Sequence, residues 1–436
     1  MKTKNILQCL VVVFALFMYS CSSDSDNDTG EPNPGGGGSG ITSITVSASA
    51  NSIELGGSVT FTVTANDGSN VTSSASILVN NSTIQGVEFT PTATGNYQIT
   101  ARYQNITSGA ITLEVTPPVI TALRVESTQS TIKIGDTADF IVIGTDASNN
   151  EYTITDSATI TVNGNQITGS RFMAITTDDL QVTATKDGVD SPVFDLPVTD
   201  ETAPGTFQRT VSLIDATGTW CGWCTRVSYG IELVEAATDK AFVVAAHSGD
   251  GMQNSYSSAL VAQVNPGGSY PTAVLNGTTE WTYPEPSNVD QVTNLASGTT
   301  SRGLSVNSMV VGNNLQVYVS AAFAQAMPNA KLAVYVLESD IVASQANYTS
   351  YYGGVDPITD FRHHHVLRHS LTAVLGDAIP AGNTGAGQKY TQIYDVPIPS
   401  NISDNTKISV VAMIIDNTFD IVSSNGGHTG EDKDFN

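Results

Sequence analysis

The chain has 436 residues, too many for one hydrophobic core, so several domains are expected. Charged residues make up only 13% and hydrophobic ones 40%, and Thr, Ser, Val, Asn and Gly are abundant, a usage that favours strands and turns over helices. The net charge of −24, from 17 Lys+Arg against 41 Asp+Glu, argues against nucleic acid as a partner, because an acidic surface repels phosphate backbones.

The first residues read as a targeting segment. Lys2 and Lys4 precede an uncharged apolar run from Ile6 to Tyr19, and Ser20-Cys21 follows. A run this short, ending at a small residue before Cys, predicts a lipoprotein signal over 1–20, with Cys21 carrying the lipid that anchors the chain to the outer membrane. A retained anchor helix is the alternative. Residues 21–40 read as a tether, acidic from Ser22 to Asp28 and Gly-rich from Gly35 to Gly40. The acidic tract resembles the one that directs Bacteroidetes lipoproteins to the outer face of the outer membrane. That resemblance implies display at the cell surface, with the periplasmic face as the other location.

Residues 41–117 and 118–203 read as two copies of one strand-rich unit. Thr60 to Thr64 alternates apolar and polar side chains, as does Tyr97 to Ala101. Ile41-Thr42-Ser43-Ile44 returns as Ile120-Thr121-Ala122-Leu123, and Phe61 returns as Phe140, both at an offset of 79. Two such copies predict tandem β-sandwiches and resemble bacterial immunoglobulin-like domains. Neither copy holds Cys or His, so a stalk is expected, with glycan or protein binding by the loops as the alternative. Asp136-Thr137-Ala138 and Asp156-Ser157-Ala158 resemble Bacteroidetes O-glycosylation acceptors.

The pattern changes over residues 204–300. Arg209 to Asp215 reads as a strand, 222–237 as a helix with Val227, Ile231 and Val234 on one face, and Ala241 to Ala246 as a buried parallel strand. A helix over 255–265, strands at Thr272 to Leu275 and Glu280 to Tyr283, and a helix from Asn288 to Ala296 complete the order β-α-β-α-β-β-α, an α/β layer. Residues 301–436 return to strands, clearest at Leu315 to Val319 and Ile408 to Ile415, and predict a closing β-sandwich. The expected fold is therefore multidomain and mostly β: two Ig-like β-sandwiches, an α/β domain and a C-terminal β-sandwich.

Four cysteines are present, Cys9 and Cys21 in the targeting region and Cys221 and Cys224 in the α/β segment. A CxxC pair at a helix start has a redox logic. The helix N-terminus favours the thiolate of Cys221, which attacks a disulfide, and Cys224 then resolves the mixed disulfide. A passive structural disulfide is a second reading. A zinc half-site is a third, although no further Cys pair exists to complete it, so no metal is expected. No flavin, haem or nicotinamide motif accompanies the pair, so no cofactor is expected either.

Trp220-Cys221-Gly222-Trp223-Cys224 within this strand order resembles the thioredoxin superfamily. By that resemblance Tyr270-Pro271 occupies the cis-proline position beside the cysteines, where an ordinary trans proline in a turn is the alternative. Asp215 stands where the superfamily has a buried acid that takes the proton of the second cysteine, Cys224 here. A solvated loop aspartate is the alternative. Trp223 replaces the usual Pro, so the redox potential does not carry over. His247 ends a strand beside Asp215, at the carboxyl edge of the sheet where α/β sites form, and either approaches the thiols or is simply hydrogen-bonded. His363, His364, His365 and His369 cluster further on. On a strand His363 and His365 share a face, with a metal site as the less ordinary reading.

A longer set of residues resembles the outer-membrane-protein-28-related lipoproteins of Bacteroidetes: Thr217 to Cys224, Ala246-His247, Tyr270-Pro271, Asn276-Gly277, Gln345, and His363 to Arg368. It spans about residues 205–436 and implies a thioredoxin-like domain joined to a β-rich C-terminal part. Many members have Pro after the second Cys, where this chain has Thr225. The expected function is thiol-disulfide exchange on exported or extracellular proteins. The alternative is a surface binding or adhesion protein whose Cys221–Cys224 pair is a static disulfide.

Overall fold

The structure is a computed structural model and describes residues 40–435. The predicted signal over 1–20, the lipidation at Cys21 and the tether up to residue 39 lie outside the described residues. Strands account for 46% and helices for 13%, so the mostly β, multi-sheet architecture expected from composition is the one observed.

Two compact units divide the chain at Pro117 and Pro118. In the first, Ile44–Ala48, Val59–Ala65 and Glu88–Phe89 form one sheet. A second is built around Gly95–Tyr103, flanked by Ile111–Thr116 and Ser76–Val79. Val59–Ala65 alternates buried and outward residues, and its Phe61 joins Val63, Ile99 and Leu113 in the core between the sheets.

The second unit, Pro118–Asn436, begins with the repeat of this sandwich. Ile120–Ser127 pairs antiparallel with Thr137–Asp146, and Phe140 is buried among Val142, Ile160 and Val182. Phe61 and Phe140 thus fill the same place in their own cores, which is the physical basis of the 79-residue repeat. The predicted boundary near 203 is not a break in packing. Tyr318 packs against Met173 and Met309, and Gly135 leaves room for its ring, since a Cβ there would lie 2.5 Å from it. Thr137 bonds Asp432 and Lys133 pairs with Asp434 across the same contact.

The α/β layer follows in the predicted order. It runs β1 (Val211–Thr217), α1 (Cys224–Ala237), β2 (Ala241–His247), α2 (Ser255–Val264), β3 (Thr272–Leu275), β4 (Thr279–Glu280) and α3 (Val289–Leu295). β1 is parallel to β2 and antiparallel to β3, giving the order β4-β3-β1-β2. Every residue of β1 is buried, as expected for a central strand with helices on both faces. Val227, Ile231 and Val234 of α1 pack with Leu213, Val243 and Trp281 on one side, and Leu260 of α2 packs with Ile214 and Val244 on the other. α1 starts two residues later than predicted, because Gly222 and Trp223 form a turn closed by Cys224 N–H on the Cys221 carbonyl.

The C-terminal strands are β5 (Arg302–Val311), β6 (Asn314–Phe323), β7 (Lys331–Glu338), β8 (Ile341–Gln345), β9 (Ile358–His363), β10 (Val366–Ser370), β11 (Gln388–Pro397), β12 (Ile408–Ile415) and β13 (Ile421–His428). β5, β6 and β11 form one sheet. It packs on alternate residues of β7 and β12, such as Val334, Val336, Val410 and Ala412, which is the predicted closing sandwich. The expected boundary at 300, however, falls inside a continuous sheet. β10 pairs in parallel with β2 at Ala245 and Val366, giving the order β4-β3-β1-β2-β10-β7-β12-β13. This closes an edge that β2 would otherwise expose. It also carries the β8–β9 hairpin to the carboxyl end of β1 and β2.

Candidate functional site

Cys221 and Cys224 form a disulfide, with Cα atoms 5.4 Å apart, at the N-terminal end of α1. Both are buried, at 5% and 1% exposure. Trp220 and Trp223 beside them are half-exposed. The Trp220 indole N–H donates to the Ser248 carbonyl at 2.8 Å, and its ring meets Tyr270 edge-on at 5.2 Å. The Tyr270–Pro271 peptide is cis and leads directly into β3. The structure therefore brings the cysteine loop and the proline loop together through an aromatic contact.

Asp215 lies in the middle of the sheet, two residues before the end of β1, opposite Ala245 and Ala273. It is not a solvated loop residue. It is 2% exposed, its Oδ1 has no hydrogen-bond partner, and burial, helped by the nearby Glu285 charge, pushes its carboxyl up to about 8. Glu285 is itself buried and is held by Arg226 Nε at 2.5 Å, while the Arg226 guanidinium lies over the Tyr283 ring. Arg226→Met is expected to destabilise the fold by about 3–5 kcal/mol, because it strands a buried carboxylate. Urea unfolding checks this, and an unchanged midpoint would show that the pair contributes nothing.

His247 closes β2. Its Nδ1 lies 2.7 Å from Asp250 Oδ2, which also accepts from the Thr219 N–H at 2.9 Å. Burial opposes ionisation of Asp250, but His247 and the Thr219 and Met252 amides hold its carboxyl below the usual range. The histidine is thus one residue pair away from the cysteine loop rather than in contact with the sulfurs. His247 also meets His363 edge-on at 5.2 Å. The strand pattern predicted for the histidines ends at His363, because His365 adopts φ 56 in the turn before β10. His363 is buried and pushed down to about 4 by desolvation and by His247. His365 Nε2 pairs with Glu235 of α1 at 2.7 Å. Among the described residues no group of His, Cys, Asp or Glu has an arrangement suited to a metal ion.

Sequence reasoning assigned no role to the segment after β8, yet residues 345–349 lie along the cysteine loop as a strap. Ala346 N–H donates to the Thr219 carbonyl and Tyr348 N–H to that of Gly222, at 2.9 and 2.8 Å. Gln345 Nε2 donates to the Cys221 carbonyl at 3.0 Å. Thr225, buried within α1, bonds Asn347 Oδ1 at 2.8 Å and approaches the Thr349 hydroxyl. A proline at position 225 could not make these bonds, so the threonine ties this strap to the helix. Gln345 was the available signal for the strap, but nothing in its local sequence shows that it sits on a disulfide 121 to 124 residues earlier.

Comparison with solved structures returns distant likenesses. HBP35 of Porphyromonas gingivalis is 16% identical, with 52% of this chain and 77% of that chain covered and a TM-score of 0.42. The Yersinia pseudotuberculosis adhesin InvE is 16% identical over 38% and 62% of the two chains, with a TM-score of 0.23. Domains 5–6 of the S-layer protein SbsC are 19% identical over 36% and 98%, with a TM-score of 0.16. Scores this low carry no argument about function. A search among curated proteins returns no match. Residues 257–424, fewer than half of the chain, match the family described as outer membrane protein Omp28.

Proposed function

We propose that the protein is an envelope lipoprotein, held in the outer membrane through Cys21, whose thioredoxin-like layer exchanges disulfides with exported proteins. The observation that supports this best is the combination of a helix-terminal CxxC disulfide, a cis-proline loop packed beside it and a buried acid within the central strand β1 that leads to it. A substrate thiolate attacks the Cys221 sulfur, the S–S bond breaks, and Cys224 leaves as a thiolate that takes a proton by way of Asp215. A second substrate thiol then attacks the mixed disulfide. The substrate leaves oxidised and the cysteine pair remains as a dithiol. Run in both directions on one substrate, the exchange isomerises disulfides with no net electron demand. The Omp28 match supports an outer-membrane location, and the half-exposed Trp220 and Trp223 offer an apolar landing for an unfolded chain.

The second reading is a surface binding or adhesion protein with a structural disulfide. It is favoured by the shielding of both sulfurs under the strap. Cys221→Ser decides between them. Under the first reading it takes exchange on a scrambled test protein to the background level, a loss on the order of 10³-fold or more. Equal exchange by the variant would sink the exchange reading, and a very low reduction potential for the pair would favour the structural one. Protease treatment of intact cells tests location, with resistance counting against surface display.

A further inference from the structure

A partly open cavity of about 50 Å³ lies under α1. Asp215 and Thr217 of β1, His247 of β2 and Ser228 of α1 form its walls, with Gln345 and His363 from the β8–β9 hairpin. Two buried atoms of these residues, Asp215 Oδ1 and His363 Nε2, have no hydrogen-bond partner in the protein. Leaving such atoms orphaned costs roughly 1–3 kcal/mol each. A polar cavity larger than the roughly 10–15 Å³ that one water needs can satisfy both at once.

Their chemistry is complementary. His363 bonds the Ala343 carbonyl through its other nitrogen, so in the neutral ring Nε2 is the acceptor. Burial keeps Asp215 protonated, which makes it a donor. We propose that Asp215 and His363 form one proton-holding site across this cavity, the Asp215 carboxyl donating through water to His363 Nε2. The C-terminal hairpin then supplies half of the proton site beneath Cys224.

The charged groups around the link have partners of their own. Glu285 is held by Arg226 and His247 by Asp250. At the mouth Glu235 pairs with His365, His364 faces Asp340, and Glu232 accepts from the Tyr352 hydroxyl. Ser228, whose hydroxyl reaches the Cys224 carbonyl at 3.3 Å, places the cavity one helical turn below the second cysteine. Resting on the exchange reading, the step is a proton transfer. When the S–S bond breaks, the Cys224 thiolate takes the Asp215 proton to form S–H, and the carboxylate regains one from solvent through the cavity water, which His363 Nε2 holds in place.

The test follows the ¹⁵N shift of His363 Nε2 against pH in the oxidised protein, with the resonance assigned from His363→Gln. Two steps are expected. One, near pH 4, belongs to the imidazole. The other, near pH 8, reports Asp215 and disappears in Asp215→Asn. A single step near pH 4, or an upper step that survives Asp215→Asn, overturns the link. If Asp215→Asn does not fold, the wild-type curve still decides, since a missing upper step is enough to reject it. Because the disulfide stays closed throughout, this result is independent of turnover, which Cys221→Ser reads separately.

Discussion

Asp215→Asn is expected to stabilise the folded protein by about 4 kcal/mol at pH 9 and to remove the fall in stability that Asp215 contributes between about pH 4 and 8. The carboxyl has its ordinary value of 3.8 in the unfolded chain and is pushed up to about 8 by burial in the fold. Between those values the unfolded chain is ionised and the native one protonated, so the native state binds more protons and stability falls as pH rises. The fall is complete once pH passes the folded value, and four units correspond to about 6 kcal/mol. Asparagine lacks the ionisation but leaves its own amide short of a partner, at roughly 1–3 kcal/mol, which brings the net gain to about 4. Urea unfolding at pH 5 and pH 9 measures both numbers. Parallel pH slopes for the two proteins would show that Asp215 is not held protonated by the fold.

Loosening the strap is expected to expose the disulfide. Gln345→Ala combined with Asn347→Ala removes the side-chain bonds to the Cys221 carbonyl and to Thr225, leaving the backbone contacts of Ala346 and Tyr348. Two such bonds at about 1 kcal/mol each make opening roughly 10- to 100-fold more frequent. Reduction of Cys221–Cys224 by a small thiol should accelerate by the same factor if the thiol reaches the sulfur only when the strap lifts. Trp220 and Trp223 flank the disulfide and give the fluorescence signal. A rate equal to wild type would mean that the sulfurs are reached without strap opening. Gly222 belongs to the same contact. A Cβ there would fall 2.4 Å from the Tyr348 ring, so a larger residue at 222 forces the strap outward by a different route.

Much of the fold was legible because its signals are local. The alternation in Val59–Ala65, the continuous apolar run of Ala241–His247 and the helical spacing of Val227, Ile231 and Val234 each report a face to be buried within a few residues. The repeat aligned Phe61 with Phe140 because each core needs the same ring in the same place. Expectations failed where a partner lay far along the chain. Residue 300 looked like a domain boundary since the pattern changes there, but β10 adds to the edge of β2 by backbone bonding, which leaves no mark on side-chain periodicity. His365 was expected to share a strand face with His363, but the turn into β10 sets its direction instead.

The candidate site divides along the same line. From sequence come Cys221 and Cys224 at a helix start, a local spacing, while Asp215 six residues earlier and Tyr270-Pro271 ahead of a strand were marked by the resemblance to the thioredoxin superfamily. Only the tertiary structure decided their condition. It buried Asp215 in the sheet near the Glu285 charge, paired His247 with Asp250, and laid Gln345 and Asn347 over the cysteine loop. Burial and long-range hydrogen bonds arise from the whole packed sheet. They set how far the disulfide and Asp215 are buried, and no short stretch of residues carries that information.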